Sequence, residues 1–367
     1  MILIQILGIK DYRQTVNLKK NTQEALKALH LDVEVEEIWE VEDLIHFKIS
    51  GIPALIVNGR VAFQKVVPDV DDLIKLFQAT LFKKTKLSDM KRILFPTDFS
   101  AASKNALEFT RNWAKDFGAD IKVIHCYSLA FDPNQPVIVE PIEAHQAAVA
   151  ERLQRFVQLP PADKDVYTSA GVAVETEAIL GFPVEEIIRI ADDEKFDLVV
   201  MSTIGEHGML DKLFGSVSSS VSLKTSCPVL LIPDGISFKR FSNVLYATHQ
   251  DTLDTEHILQ AASLTEHFHA DLHFVHVQEE SEAALAIEEF VFDTLFREKF
   301  PDIAVNFSEV QSPSVMEGLL SYAREHAVDL LVFVNQQRSF WEKLLHKSAT
   351  RQMALHSKLP MLVLHTK

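Results

Sequence analysis

Apolar runs rich in valine and isoleucine alternate with amphipathic stretches along most of the chain. From Arg92 onward, RILFPT, DIKVIHCY, VAVETEAIL, FDLVVMST and PVLLIP read as five strands, separated by helical stretches such as AASKNALEFTRNWAKDF and PVEEIIRIADDEKF. Runs of this kind predict strands buried on both faces. Strands alternating with helices predict right-handed crossovers and a parallel, doubly wound sheet, an α/β fold. Sheets of this type bind ligands beyond the carboxyl ends of their strands, where the strand order reverses. The ends of the first and fourth strands are therefore the places to look for chemistry.

The pattern occurs twice. RILFPTDFSAASKNALEFTRNWAKDFGADIKVIHC, from Arg92, lies over NVLYATHQDTLDTEHILQAASLTEHFHADLHFVHV, from Asn243, without a gap. Thr97 falls on Thr248, Asp120 on Asp271 and His125 on His276. Further on, DLVVM from Asp197 falls on DLLVF from Asp329 and Pro228 on Pro360, so the second copy is shorter between its halves. A repeat this long is a duplicated domain and not a solenoid unit. Boundaries follow at residues 1–88, 89–236 and 237–367.

The N-terminal segment has a different order. MILIQIL, a helix to about Leu29, DVEVEEI, a helix around Val41–Lys48, PALIVNG, RVAFQKV and the helix DVDDLIKLFQATLF give β-α-β-α-β-β-α. NGR between two short strands predicts a hairpin turn. This order resembles a small thioredoxin-like domain, in which Ile52-Pro53-Ala54 would be the cis-proline loop. Where that fold carries CxxC, this chain reads Lys10-Asp11-Tyr12-Arg13-Gln14-Thr15. Without a thiolate there is no nucleophile for disulfide exchange, and redox catalysis is excluded.

Composition narrows the partners. The 367 residues carry a formal charge of −16, all of it after about Ser88, which disfavours nucleic acid and anionic membrane. No apolar stretch approaches a membrane span and the N-terminus lacks a signal-like leader, so the expected location is the cytoplasm. The two cysteines, Cys126 and Cys227, are too few for a disulfide framework and read as reduced core thiols.

The chemistry gathers at two strand ends. The first strand of the first copy closes on Pro96-Thr97-Asp98-Phe99-Ser100. The fourth runs into Ser202-Thr203-Ile204-Gly205-Glu206-His207-Gly208, and Gly215-Ser216-Val217 opens the next helix. Gly205 and Gly208 allow close backbone approach to a ligand, while Gly215-Ser216 sets free N–H groups at a helix N-terminus, the arrangement that cradles phosphate. Glycines at a turn are also explained by sterics alone.

At these residues the sequence resembles the universal stress protein family, whose nucleotide-binding members carry Gly-x2-Gly-x9-Gly-Ser/Thr after strand four. Here Ser202 replaces the first glycine, with Gly205, Gly215 and Ser216 at the family's spacing; FPTD and CPVLLIP are similar to its first and last strands. The resemblance covers about residues 90–367. It implies two flavodoxin-like (HUP-type) domains of strand order 3-2-1-4-5 that pair through their last strands as a pseudo-dimer, with a further homodimer possible. It also implies an adenine nucleotide, ATP or ADP with or without Mg²⁺, held by Thr97, Asp98, Gly205, Gly208, Gly215, Ser216 and Val217, Asp98 lying near the ribose or adenine. Ser202 weakens that expectation by crowding a backbone the family keeps bare.

The second copy puts Val334, Gln337, Phe340 and Lys347 on Ser202, Gly205, Gly208 and Gly215, and His249 on Asp98. No nucleotide is expected there. The expected function is a non-catalytic, nucleotide-binding stress or regulatory protein with a protein partner of unknown identity. The alternatives are a slow ATP hydrolase or phosphotransferase and a pure scaffold. His267, His269, His273 and His276 invite a metal reading, but 273 and 276 face opposite sides of a strand. Asp192-Asp193-Glu194 reads as a solvated charge run.

Overall fold

The computed structural model describes residues 3–39, 49, 51–81, 87, 89–128, 142–158, 171–203, 216–248, 255–278, 300–335 and 358–365. They form two compact units, one around a four-stranded and one around a ten-stranded sheet.

The smaller sheet contains β1 (Ile4–Leu7), β2 (Val35–Ile38), β3 (Ala54–Val57) and β4 (Arg60–Gln64), with helices α1 (Arg13–Ala28) and α2 (Val70–Leu81). Its order is β2-β1-β3-β4. β1 runs parallel to β2 and antiparallel to β3, which is antiparallel to β4. Asn58 and Gly59 have φ of 50° and 81°, the pair of left-handed residues that a two-residue I′ hairpin demands. The Ile52–Pro53 peptide is cis. Ile4, Ile6, Leu18, Leu26, Leu55, Leu73, Leu76 and Phe77 fill the core. This is the thioredoxin-like domain that the element order predicts; the expected helix around Val41–Lys48 lies outside the described residues.

The larger sheet holds both copies. The first has β5 (Arg92–Pro96), α3 (Ala101–Phe117), β6 (Asp120–Tyr127), α4 (Ile142–Val157), β7 (Val174–Leu180), α5 (Pro183–Asp193), β8 (Leu198–Ser202), α6 (Ser216–Lys224) and β9 (Val229–Ile232). The second has β10 (Asn243–Thr248), α7 (Thr255–Phe268), β11 (Asp271–Gln278), β12 (Val305–Gln311), α8 (Val315–Glu325), β13 (Leu330–Asn335) and β14 (Met361–His365). The full order is β12-β11-β10-β13-β14-β9-β8-β5-β6-β7. Each half is a parallel 3-2-1-4-5 sheet, and the halves join antiparallel through their last strands, Leu230 opposite Leu362 and Leu231 opposite Met361. The strands at this seam are fully buried, so the internal pair is sealed by apolar side chains as well as by ladder hydrogen bonds.

The duplication extends to single hydrogen bonds. The Asp197 carboxylate accepts from the N–H groups of Lys91 and Arg92 at 2.8 and 3.1 Å. Asp329 does the same for Ser242 and Asn243 at 2.7 and 3.2 Å. Each aspartate thereby ties the start of its fourth strand to the start of its first.

Aromatic rings bring the two copies' first helices together. Trp113, fully buried, has Phe109, Phe117, Phe238, Phe241 and Phe268 at centroid distances of 5.4 to 6.3 Å.

Two expectations need correction. β7, expected to be buried on both faces, is largely exposed, with Leu180 at 48%, and so is its counterpart β12, with Phe307 at 58%. They end the strand order, where no strand among the described residues pairs with the outer side, and VETEAIL already carries alternating glutamates. The run Asp192-Asp193-Glu194 is not merely solvated. Asp192 accepts from Ser226 Oγ at 2.8 Å, and Glu194 accepts from Lys122 Nζ at 2.8 Å and from Arg92 at 3.1 Å. Lys122 also reaches Glu177 at 2.7 Å, so a nearly buried ammonium is held between two carboxylates. Burial alone lowers the Lys122 pKa, but its hydrogen bonds to Glu177 and Glu194 outweigh that and the net shift is upward. Its partner Glu194 is held below the usual carboxylate range, chiefly by the hydrogen bond from Lys122.

Candidate functional site

Ile93 stands opposite Leu198 and Leu94 opposite Val199 in the β5–β8 ladder. Continued by four residues, that register brings Thr97 level with Ser202. The two strand ends singled out in the sequence therefore lie at the carboxyl ends of neighbouring strands, where the order turns from β5 to β8.

Local hydrogen bonds fix the end of β5. Thr97 is buried; its N–H donates to Ile124 O at 2.8 Å and its hydroxyl lies 2.7 Å from that of Ser103. Asp98 Oδ1 accepts from the N–H of Ser100 at 3.0 Å, and Ser100 Oγ accepts from the N–H of Ser103 at 3.0 Å, capping α3. Phe99, with φ 67°, reverses the chain between them. Its ring lies 4.2 Å from that of His125 and 4.2 Å from the Arg152 guanidinium carbon. His125 donates from Nδ1 to Thr97 O at 2.7 Å. The strand-one turn is thus built from Thr97, Asp98, Ser100, Ser103 and His125. The roles of Ser103, Phe99 and His125 were not read from the sequence, although the alignment of His125 with His276 was a visible signal.

On the other side, β8 ends at half-buried Ser202, and the N–H of Thr203 donates to Ile232 O at 3.0 Å. Ser216 and Val217 open the nine-residue helix α6, with Ser218 buried behind them. The first N–H groups of a helix lack intrahelical acceptors and carry the positive end of its dipole. Gly205, Gly208 and Gly215 lie outside the described residues, as do His249, Gln337, Phe340 and Lys347 of the second copy.

Against this geometry, residues 90–233 and again 240–365 match the model of the universal stress protein family. The chain belongs to the universal stress protein family. Residues 4–78 match a thioredoxin domain model. A universal stress protein of Methanocaldococcus jannaschii is 34% identical over 145 residues, 39% of this chain and 81% of that protein. One from Thermus aquaticus is 32% identical over 143 residues, 39% of this chain and 98% of its own. A solved universal stress protein of Archaeoglobus fulgidus, 21% identical, aligns with 76% of this chain and 97% of its own at a TM-score of 0.58. That extent takes in both copies, so the tandem fold itself has a solved counterpart.

Other candidate groups do not converge in this universal stress protein. Among the described residues no three His, Cys, Asp or Glu side chains could hold a metal ion. His267 and His269 line a cavity of about 670 Å³ with Asp89, Ser263, Glu266, Asp302 and Ile303. Burial lowers the His267 pKa, and its ring lies flat on Phe117 at 3.9 Å. Burial pushes the Cys126 thiol up to about 12, and Cys227 is buried with Sγ 3.2 Å from Phe196 O. Neither sulfur has the environment of a reactive thiolate. No helix among the described residues is long and apolar enough to cross a membrane.

Proposed function

We propose that this chain is a non-catalytic, adenine-nucleotide-responsive universal stress protein that binds one nucleotide, in its first stress domain. The observation that carries the reading is the position of Thr97 and Ser202 at the carboxyl ends of neighbouring strands at the sheet's switch point, with the turn at Asp98 already fixed by its own hydrogen bonds. Pre-set backbone lowers the ordering cost of binding. The donor set fits the ligand in two parts. Main-chain N–H groups from Ser216 and Val217 suit phosphate oxygens, and the Asp98 carboxylate, which would repel phosphate, suits the hydroxyls of a ribose or the amine of adenine. In this reading the backbone of Gly205, Gly208 and Gly215 completes the phosphate cradle. Mg²⁺ would offset charge between phosphates and a −16 chain. Ser202 narrows the loop entrance, so affinity is modest. Thr97, Ser103 and His125 serve the turn itself, which favours a binding role over turnover. The second copy, without loop glycines, serves as the pairing half, and the redox-dead thioredoxin-like domain as an adaptor for a protein partner.

Titration calorimetry with ATP and ADP, with and without Mg²⁺, tests the site. One nucleotide per chain is expected for the parent and for Lys347→Glu, and none for Gly215→Val, whose branched side chain enters the phosphate position. Equal binding by the parent and Gly215→Val removes the site from this loop, and loss in Lys347→Glu moves it to the second copy. A parent that binds nothing leaves the scaffold reading. Sustained phosphate release by the parent, lost in Gly215→Val, makes the protein an enzyme.

A further inference from the structure

The ionic cluster of the first copy has a neutral counterpart. Under the duplication Arg92 corresponds to Asn243, Lys122 to His273 and Glu194 to His326. Lys122 faces Glu175 in its ladder and His273 faces Asn306 in the equivalent one, so Glu177 corresponds to Ser308. Where the first copy sets an ammonium between two carboxylates, the second sets an imidazole between a hydroxyl and another imidazole.

The arrangement around His273 is a directed chain of hydrogen bonds. Asn243 Nδ2 donates to Ala327 O at 3.3 Å, which turns Oδ1 toward His273 Nε2 at 3.2 Å. Nε2 therefore carries the proton and donates. Nδ1 is left to accept from the Tyr322 hydroxyl at 3.1 Å, and that oxygen lies 3.0 Å from Ser308 Oγ. His326 stacks on Tyr322 at 4.0 Å, and its ring centre is 5.7 Å from that of His273. This chain links four elements: Asn243 on β10, His273 on β11, Ser308 on the edge strand β12 and Tyr322 on α8. In this direction the chain is complete with His273 neutral.

A proton on Nδ1 reverses the Tyr322 bond and sets a cation, 6% exposed, among groups that offer no carboxylate. The groups facing it are Asn243 from β10, Ser308 from β12, Tyr322 from α8 and His326 from the turn after α8; the one acid, Asp271, is exposed at the start of β11. We propose that the second copy is the acid-responsive half of the pair, in which a proton taken up at His273 loosens β12 and α8 while the first copy holds. Burial keeps the His273 imidazole below its ordinary pKa, His326 pushes the same way, and Asp271 opposes them. The sign follows. The closed form binds the proton less tightly than the open form, so stability is intact above the ordinary histidine value of about 6.5 and falls as pH drops below it. In the first copy Glu194 stays charged through that range, so its cluster does not respond.

Hydrogen exchange of the full chain between pH 7.5 and 5.5, corrected for intrinsic rates, reads each copy separately. In the parent, opening of Val305–Gln311 and Val315–Glu325 should increase below pH 6.5 by up to about tenfold per pH unit, the limit for one proton taken up. Val174–Leu180 and Pro183–Asp193 should not change. His273→Gln, which keeps a donor and an acceptor but cannot titrate, should remove most of the increase. Equal loosening of both copies, a flat parent profile, or an unchanged response in His273→Gln overturns the proposal. Should His273→Gln not fold at pH 7.5, the graft His273→Lys with Ser308→Glu and His326→Glu transplants the first copy's cluster. A pH response that survives the graft overturns the proposal, and one that vanishes supports it.

Discussion

The buried ammonium of Lys122 supports a prediction about order as well as size. Its side chain is 9% exposed, whereas Glu177 and Glu194 are 50% and 36% exposed. The ammonium depends on the carboxylates far more than they depend on it. Replacing both with glutamine leaves a charge in a poorly solvated place, a loss of about 3–5 kcal/mol by analogy with broken buried pairs. Lys122→Met removes the charge itself and keeps the aliphatic stem, and the carboxylates rehydrate, so the loss should stay within about 2 kcal/mol. Lys122→Met added to the double glutamine variant should then restore stability. Urea unfolding followed by Trp113 fluorescence, with Trp39 and Trp341 changed to Phe, measures all three. A triple variant less stable than the double one refutes the reasoning, because the orphaned ammonium is then not the source of the loss. The pH dependence has two limits. Glu194, with its pKa lowered, contributes above the ordinary carboxylate value of about 4.3, and the contribution is lost as pH falls through its folded value; Lys122, with its pKa raised, contributes below about 10.4 and is lost as pH rises through its folded value. Between those limits the variants should differ most.

Three other perturbations test the frame. Asp197→Ala and Asp329→Ala each orphan two backbone N–H groups and should cost about 1–3 kcal/mol; Asp329, also paired with Lys239 and 6% exposed, should cost more, and a silent Asp329→Ala in thermal melting contradicts this. Leu362→Ala opens a cavity in the β9–β14 seam and should cost about 2–5 kcal/mol, with exchange rising in both β8 and β13; a rise in β13 alone means the halves are not mechanically joined. Folded protein at pH 8 should resist iodoacetamide at both Cys126 and Cys227, and mass spectrometry that finds Cys126 alkylated at the rate of a free thiol rejects the buried environment assigned to it.

The duplication was legible because strand cores tolerate only a narrow set of residues: DLVVM and DLLVF keep their spacing since the same aspartate must bridge to the same strand start. The hairpin at Asn58-Gly59 was legible for a similar reason, few residues accepting positive φ. Side-chain networks were not. Lys122 in DIKVIHCY looks like an ordinary polar position, and nothing local reveals that Glu177 and Glu194, on other elements, close over it. The exposure of β7 and β12 depends on where strands fall in the sheet, a long-range property. At the candidate site the residue types at Thr97 and Asp98 were readable, whereas the clamp from His125 requires β6 beside β5.

The seam between β9 and β14 places two homologous halves on one polypeptide, and this changes what substitution can do. In a symmetric homodimer every side chain occurs twice, and any change is imposed on both halves at once. Here each position occurs once, and the tether keeps the halves at high effective concentration even when one of them contributes less to pairing. A lysine–glutamate cluster can therefore persist in one half while histidine, serine and asparagine occupy the same positions in the other. One half is free to keep a ligand loop and the other to lose it, without either becoming a monomer.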